Sequence, residues 1–182
     1  MQFALRNLSC SAFPFFLAAV FFISPVFADG QTAKAKTPVA QSSDQRVKDF
    51  GDGTILDSES HLMWFKNDSW QLEGKWINWY TAVEYAQKMN NKNFAGYSDW
   101  RLPTPEEVQT LYDRRKRNVD KDGDKIYLDR VFPSGAGWSS WTSEEKSGKA
   151  VVVSLKDEGG RTYQDKITGV DAFLRLVRGP VS

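Results

Sequence analysis

The chain holds one cysteine, Cys10, and one histidine, His61, and the place of that cysteine limits how the rest can fold. Residues 1–28 carry a single charge, Arg6. An apolar run extends from Phe13 to Ile23, Ser24 and Pro25 come next, and the stretch closes on Val26-Phe27-Ala28. A positive start, a short apolar centre and small residues at the −3 and −1 positions describe a secretory signal peptide. The apolar run falls short of the ~20 residues a membrane-spanning helix needs. Cleavage after Ala28 is therefore expected, with no membrane span afterwards. Cys10 precedes the apolar centre, so it does not stand where a lipoprotein carries its lipid. The chain beyond residue 28 must fold without a disulfide, although export would permit one. With one histidine and no cysteine it also cannot build a Cys/His zinc site.

The rest of the 182 residues is long enough for one domain that buries about 68–70% of its unfolded surface, enough for a core without staples. The chain carries 24 Lys+Arg against 23 Asp+Glu; removing Arg6 brings the two level. No bulk positive field exists to hold nucleic acid. Asp29 to about Arg46 has no aromatic residue and is rich in Ala, Gln, Lys, Ser and Thr. It reads as a disordered linker, 29–46, ahead of a domain over 47–180.

Within the domain the local codes are clear. Phe50 to Asp57 reads as strand, turn, strand, with Asp52-Gly53 supplying the tight hairpin. His61-Leu62-Met63-Trp64-Phe65 reads as the next strand. Asn78 caps a helix whose apolar face is Trp79, Ala82, Val83, Ala86 and Met89. Thr104-Pro105-Glu106-Glu107 is a capping box with proline at the first helical position, ahead of the stripe Val108, Leu111 and Tyr112. Later segments read as strands: 137–141, 150–155, 161–166 and 172–178. Two helices between strands at both ends make an α+β domain.

Five ordered segments carry a family resemblance. Gly51-Asp52-Gly53-Thr54, His61-Leu62-Met63-Trp64, Gly96-Tyr97-Ser98-Asp99-Trp100-Arg101-Leu102-Pro103-Thr104, Trp138-Ser139-Ser140 and Leu176-Val177-Arg178-Gly179 together resemble the Lcl C-terminal domain family. Arg101 to Glu107 and Phe173 to Arg178 are also similar to segments of formylglycine-generating enzymes. The resemblance implies a C-type-lectin-like fold, with two helices, short and mostly antiparallel strands, and paired N- and C-terminal strands. Family members often carry cysteines near Ala86 and Leu176, as a bridge from helix to last strand; here both positions are apolar. The formylglycine-generating reaction works through cysteines, which the chain lacks after residue 28, so that activity is excluded on chemical grounds.

The candidate chemistry lies in three places. Taking Asn118 as position 1 of an EF-hand-type loop puts Asn118, Asp120 and Asp122 at positions 1, 3 and 5. Gly123 then falls at 6 and Asp129 at 12, with Asp124 between them. Clustered oxygens of this kind suit Ca²⁺. Against the match stand Asn at position 1, Asp at 12 and Lys125 at 8, and the alternative is an acidic surface turn. The four cations Arg114, Arg115, Lys116 and Arg117 precede the loop. They suit sulfate, carboxylate or phosphate groups, or they cap the end of the preceding helix. The family's namesake domain is associated with sulfated polysaccharides, which raises the first alternative. Seven tryptophans are many for this length. Trp64, Trp100 and Trp138 lie in family motifs and Trp79 on the helix face, whereas Trp70 and Trp76 sit in a polar loop and either pack beneath it or offer flat faces for a sugar ring. Asp99, Arg101 and Arg178 read as a buried polar brace. A lone His61 beside Leu62 does not make a general base, so catalysis is not expected. The combined expectation is an exported, periplasmic or secreted binding module for glycans or other polyanions, of an adhesive kind, with Ca²⁺ as its possible cofactor. The alternatives are an interaction module of an envelope protein complex and an unrecognised hydrolase.

Overall fold

The structure is a computed structural model and describes residues 37–156 and 158–179. The expected signal peptide, 1–28, lies outside the described residues. Strands β1 (Ala40–Gln41), β2 (Val47–Asp49), β3 (Thr54–Asp57) and β4 (Leu62–Phe65) pair antiparallel in chain order, and the C-terminal β10 (Val177–Arg178) joins β4. The N- and C-terminal strands thus share one sheet. The hairpin stands where Asp52-Gly53 places it, with Gly51 and Gly53 at φ 75° and 89°. Asp52 Oδ1 accepts the Thr54 N–H at 3.0 Å and its hydroxyl at 2.6 Å. β4 begins one residue later than expected, because His61 has φ 58° and lies exposed in the preceding turn.

Residues ahead of the expected boundary at 47 belong to the sheet. Ala40 and Gln41 pair with Asp49 and Lys48. Ser42 is buried and accepts the Val47 N–H at 2.9 Å. Arg46 forks onto Asp57 at 2.9 and 2.6 Å and reaches the Thr110 carbonyl at 2.8 Å. These residues are held by polar bonds rather than by apolar burial, so hydropathy gives no sign of them.

Helices α2 (Trp79–Asn91) and α3 (Pro105–Leu111) stand where their caps place them. Asn78 accepts the Thr81 N–H, and Thr104 with Glu107 forms the reciprocal capping box. A further short helix, α1 (Ser69–Glu73), occupies the segment expected to be a loop. Asp68 and Gln71 form its own capping box and Gly74 ends it at φ 67°. The second sheet is β7 (Ser139–Lys146), β8 (Lys149–Ser154) and β9 (Arg161–Asp165), and a small hairpin joins β5 (Asn118–Val119) to β6 (Lys125–Ile126).

β8 reads Ala-Val-Val-Val and is buried on both faces. Val151 and Val153 join a core with Ile55, Trp64, Val108 and Phe132. Ala150 and Val152 join a second with Phe65, Met89, Trp100 and Trp141. An unbroken apolar strand is what two-sided burial requires. Ala86 and Leu176, where the family resemblance would place cysteines, are both buried in this second core. Apolar packing stands where that bridge would be.

One buried polar contact joins distant segments. Asp68 Oδ1 caps α1 at 3.0 Å from Gln71 N, and its Oδ2 accepts the Gly137 N–H at 2.6 Å. The same Oδ2 lies 3.6 Å from Nη2 of Arg175, a side chain only 3% exposed. Arg175 Nη1 donates to the Phe65 carbonyl at 2.8 Å and also to that of Lys66, and its guanidinium lies over the Phe132 ring at 4.8 Å. Gly137 has no room for a side chain, since a Cβ would stand 2.1 Å from Phe173 Cγ. Removing one member of a buried ion pair leaves the other uncompensated, which costs roughly 3–5 kcal/mol. Asp68→Ala is expected to lose stability in that range by urea denaturation. The double variant Asp68→Ala/Arg175→Met is expected to recover part of it.

Candidate functional site

The basic run does not extend a helix. α3 ends at Leu111, and its cap Tyr112 already has φ −79° and ψ 117°. Arg114 to Arg117 lie on a turn beyond it, so the macrodipole does not account for them. Asp113 organises that turn: its Oδ1 accepts the Arg115 N–H at 2.9 Å, and the Arg115 guanidinium returns to the same carboxylate at 2.8 to 3.2 Å. The Arg115 hydrogen bonds push the Asp113 carboxyl down to about 2. Lys116 bridges Asp44 at 2.7 Å and Asp129 at 2.8 Å. Its hydrogen bonds to Asp129 and Asp44 raise its own pKa and hold the Asp44 carboxyl well below the usual range, with Ser42 assisting at Asp44. Arg114 pairs with Glu158. Three of the four cations are thus neutralised, by acids distant in sequence apart from Asp113.

Arg117 is the exception. It is exposed, donates to the Arg114 and Lys116 carbonyls and lies 5.3 Å over the Tyr127 ring. Lys125 covers the same ring at 4.7 Å, and its hydrogen bond to the Tyr127 hydroxyl lowers the tyrosine pKa. Arg130 donates Nε to the Arg117 carbonyl at 2.9 Å. Among the described residues none of Arg117, Lys125 and Arg130 forms an ion pair. All three line an open cavity of about 510 Å³ with Val119, Phe132 and Pro133, and among the described residues no carboxylate lines it. A neighbouring cavity of about 550 Å³ shares Arg117 and Arg130 and adds Arg115 and Lys116, with Asp129 as its one acid. The expected four-cation grip is therefore replaced by three cations drawn from the turn, from β6 and from the segment after Asp129. Neither Lys125 nor Arg130 stands out in the sequence as a cation of a site, because each is isolated along the chain.

The acidic segment forms a hairpin, not a ligand cage. Asn118 is buried; its Nδ2 donates to the Asp129 carbonyl at 3.2 Å and the Phe132 carbonyl at 2.9 Å, and its Oδ1 accepts the Val119 N–H at 2.9 Å. Asp120 Oδ1 accepts the N–H groups of Asp122 at 2.9 Å and Asp124 at 2.8 Å, closing the turn at Gly123. Asp120 Oδ2 meets Lys156 at 2.6 Å and Asp124 meets the same ammonium at 3.0 Å. Burial works to raise the Asp120 pKa, but Lys156 and the two N–H donors outweigh it and the net shift is downward. Asp122 pairs with Lys121 at 2.8 Å, and Asp129 turns to Lys116. Among the described residues no three His, Cys, Asp or Glu side chains form a group that could hold a metal ion. Asn118, Asp120, Asp122, Asp124 and Asp129 do not fit one Ca²⁺ site, because lysines and main-chain N–H groups take up their oxygens and Asp129 lies beyond β6.

Trp70 and Trp76 meet over a cation of the chain itself. Lys121 Nζ lies 4.8 Å from the Trp70 ring centroid and 5.8 Å from that of Trp76, and the Lys121 side chain is only 9% exposed. Trp70 also packs edge-on against Phe173 at 6.0 Å, while Trp76 stays 46% exposed. Gln71 ties α1 to the Pro133 and Ser134 carbonyls at 3.1 and 3.0 Å. The tryptophan segment therefore adjoins the acidic hairpin and the Pro133 wall of the basic cavity. Among the described residues neither ring contacts Arg114, Arg115, Lys116 or Arg117.

The brace expected from Asp99, Arg101 and Arg178 is two separate pairs, both partly exposed. Arg178 forks onto Asp99 at 2.7 and 3.1 Å and stacks 3.8 Å over Tyr97. Arg101 forks onto the capping-box Glu107, at 2.7 Å on both arms. Trp100 between them is buried, with its main chain bonded both ways to the Asn90 amide at 2.7 and 2.8 Å.

These features define a small α+β domain, its first and last strands at opposite edges of one sheet, with a basic cavity free of carboxylates at the surface of the described residues. The family model described as the Lcl C-terminal domain matches residues 53–178, and the chain belongs to that family. Neither the curated proteins nor the solved structures contain a match to it.

The Asp113 pKa gives a direct check on the neutralised run. A carboxyl lowered in the folded state contributes stability that is present above its unfolded value, ~3.9, and lost as pH falls through its folded value. The Asp113 carboxyl carbon is expected to titrate by NMR at about 2, and to return toward ~3.9 in Arg115→Ala.

Proposed function

We propose that this domain is an exported, non-catalytic binding module for polyanionic glycans, and that Arg117, Lys125 and Arg130 are its anion-binding residues. The observation that carries the reading is a cavity of about 510 Å³ lined, among the described residues, by three cations and by no acidic residue, in a chain whose charges otherwise nearly cancel. Arginine forks suit sulfate and carboxylate geometry, and a fixed guanidinium loses little freedom on binding. The carbonyl that Arg117 presents to Arg130 and the ring it shares with Lys125 support such fixing. Export rests on the N-terminal charge and apolar pattern. Sulfated polysaccharide is the ligand class that the family resemblance implies, and Trp76 at the neighbouring edge offers an exposed face for a sugar ring.

Heparin chromatography tests the assignment residue by residue. A hydrogen bond to a charged group is worth roughly 1.5–3 kcal/mol. Arg117→Ala/Lys125→Ala/Arg130→Ala is therefore expected to bind at least about tenfold more weakly and to elute at much lower salt than wild type. Arg114→Ala/Arg115→Ala is expected to elute almost unchanged, because those cations already have partners. Equal losses in the two variants would refute the site, and absence of retention in the wild type would refute the ligand class.

A further inference from the structure

β9 is the outer strand of the β7-β8-β9 sheet, and its five residues pair with β8 without a bulge or a proline. The hydrogen bonds reveal which of its main-chain groups face outward. Ser154 N donates to the Gly160 carbonyl at 2.9 Å, and Leu155 N donates to the Trp138 carbonyl at 2.7 Å on the other side of β8. Bonded and non-bonded pairs alternate along an antiparallel ladder. With Val153 opposite Arg161, Val152 opposite Thr162 and Val151 opposite Tyr163, Thr162 and Gln164 turn their N–H and C=O toward β8. Those of Arg161, Tyr163 and Asp165 turn away. No other main-chain bond to these three occurs among the described residues.

The sequence of this open edge is Arg-Thr-Tyr-Gln-Asp, positive at one end and negative at the other, with Tyr163 at its centre and 47% exposed. We propose that β9 pairs antiparallel with β9 of a second copy of the chain, about a two-fold axis through Tyr163. In that register Tyr163 exchanges both main-chain hydrogen bonds with its counterpart, Thr162 stands opposite Gln164, and Arg161 stands opposite Asp165. All three outward-facing residues become bonded partners, and each end of the strand meets its opposite charge. Parallel, in-register pairing would instead set Arg161 against Arg161 and Asp165 against Asp165. Within its own copy Arg161 holds Gln109 and Glu106 through Nη2, and Asp165 accepts the Ile167 N–H on Oδ1. The second arm of each side chain is the part that meets the other copy. Natural proteins usually blunt an open edge with a bulge, a proline or charged side chains; here there is neither bulge nor proline, and the charges are self-complementary, as an isologous contact requires. A pairing this short buries less than a standard interface, so the dimer forms weakly and depends on concentration.

The test uses the purified protein with Cys10→Ser, so that introduced cysteines are the only thiols. Facing residues of a bonded pair stand about 5.5 Å apart between Cα atoms, within the disulfide range of about 4.4–6.8 Å. Under mild oxidation Tyr163→Cys is expected to give several-fold more linked dimer than Thr162→Cys or Ser147→Cys. In sedimentation velocity without introduced cysteines, Asp165→Arg is expected to abolish the dimer and Arg161→Asp/Asp165→Arg to restore it, with circular dichroism verifying that each variant is folded. Equal cross-linking at the three positions, a wild type that stays monomeric at all concentrations, or a folded double variant that does not regain the dimer would each overturn the proposal.

Discussion

The contact between Asp68 and Arg175 is the one on which most of the structure depends. Asp68 starts α1, takes the Gly137 N–H and faces a guanidinium that also holds the carbonyls at the end of β4. Burying two charges is costly; here both Asp68 oxygens accept main-chain N–H groups and Arg175 Nη1 holds two carbonyls, whereas Arg175 Nη2 has no hydrogen-bond partner among the described residues and meets Asp68 by charge alone. The arrangement of the segments so joined is therefore specified to within a hydrogen bond. Gly137 belongs to the same constraint, because Phe173 fills the space any side chain would need. The same contact sets the position of the tryptophan segment, since α1 begins on Asp68 and carries Trp70 over Lys121.

The chain is close to neutral overall, and its folded surface is not. Pairing is selective. Arg114, Arg115 and Lys116 meet carboxylates, Lys156 closes the acidic hairpin, and Lys121 goes under two indole rings. Arg117, Lys125 and Arg130 have no acidic partner among the described residues and gather on one cavity. A net charge says nothing of such a division, because it sums over groups that tertiary contacts separate.

The legible parts of the chain are those whose code is local. Asn78 and the Thr104–Glu107 box set two helix starts, and Asp52-Gly53 sets the hairpin, each within four residues of sequence. The Asp68–Gln71 box is equally local, but a five-residue helix is too short to display a 3.6-residue period, so α1 reads as loop. The acidic segment misleads for a related reason. Aspartates on alternate positions before a glycine serve a calcium loop and a tight hairpin equally well. Lys156 and Lys116, both outside the loop, decide between them. Ala40 to Arg46 escapes a reading by composition because it is held by a sheet edge and by Asp57, which composition does not register.

By itself the sequence determined the α+β class, the two well-capped helices, the apolar strand at 150–153 and the family, since each rests on short-range patterns and ordered motifs. The tertiary structure alone decided which cations are unpaired among the described residues, that the indole rings of Trp70 and Trp76 meet Lys121, and that the outer edge of β9 has no main-chain partner among those residues. Each of these depends on which distant residues meet. Charge pairing acts over a few ångströms in space, and that distance is set by the fold rather than by separation along the chain.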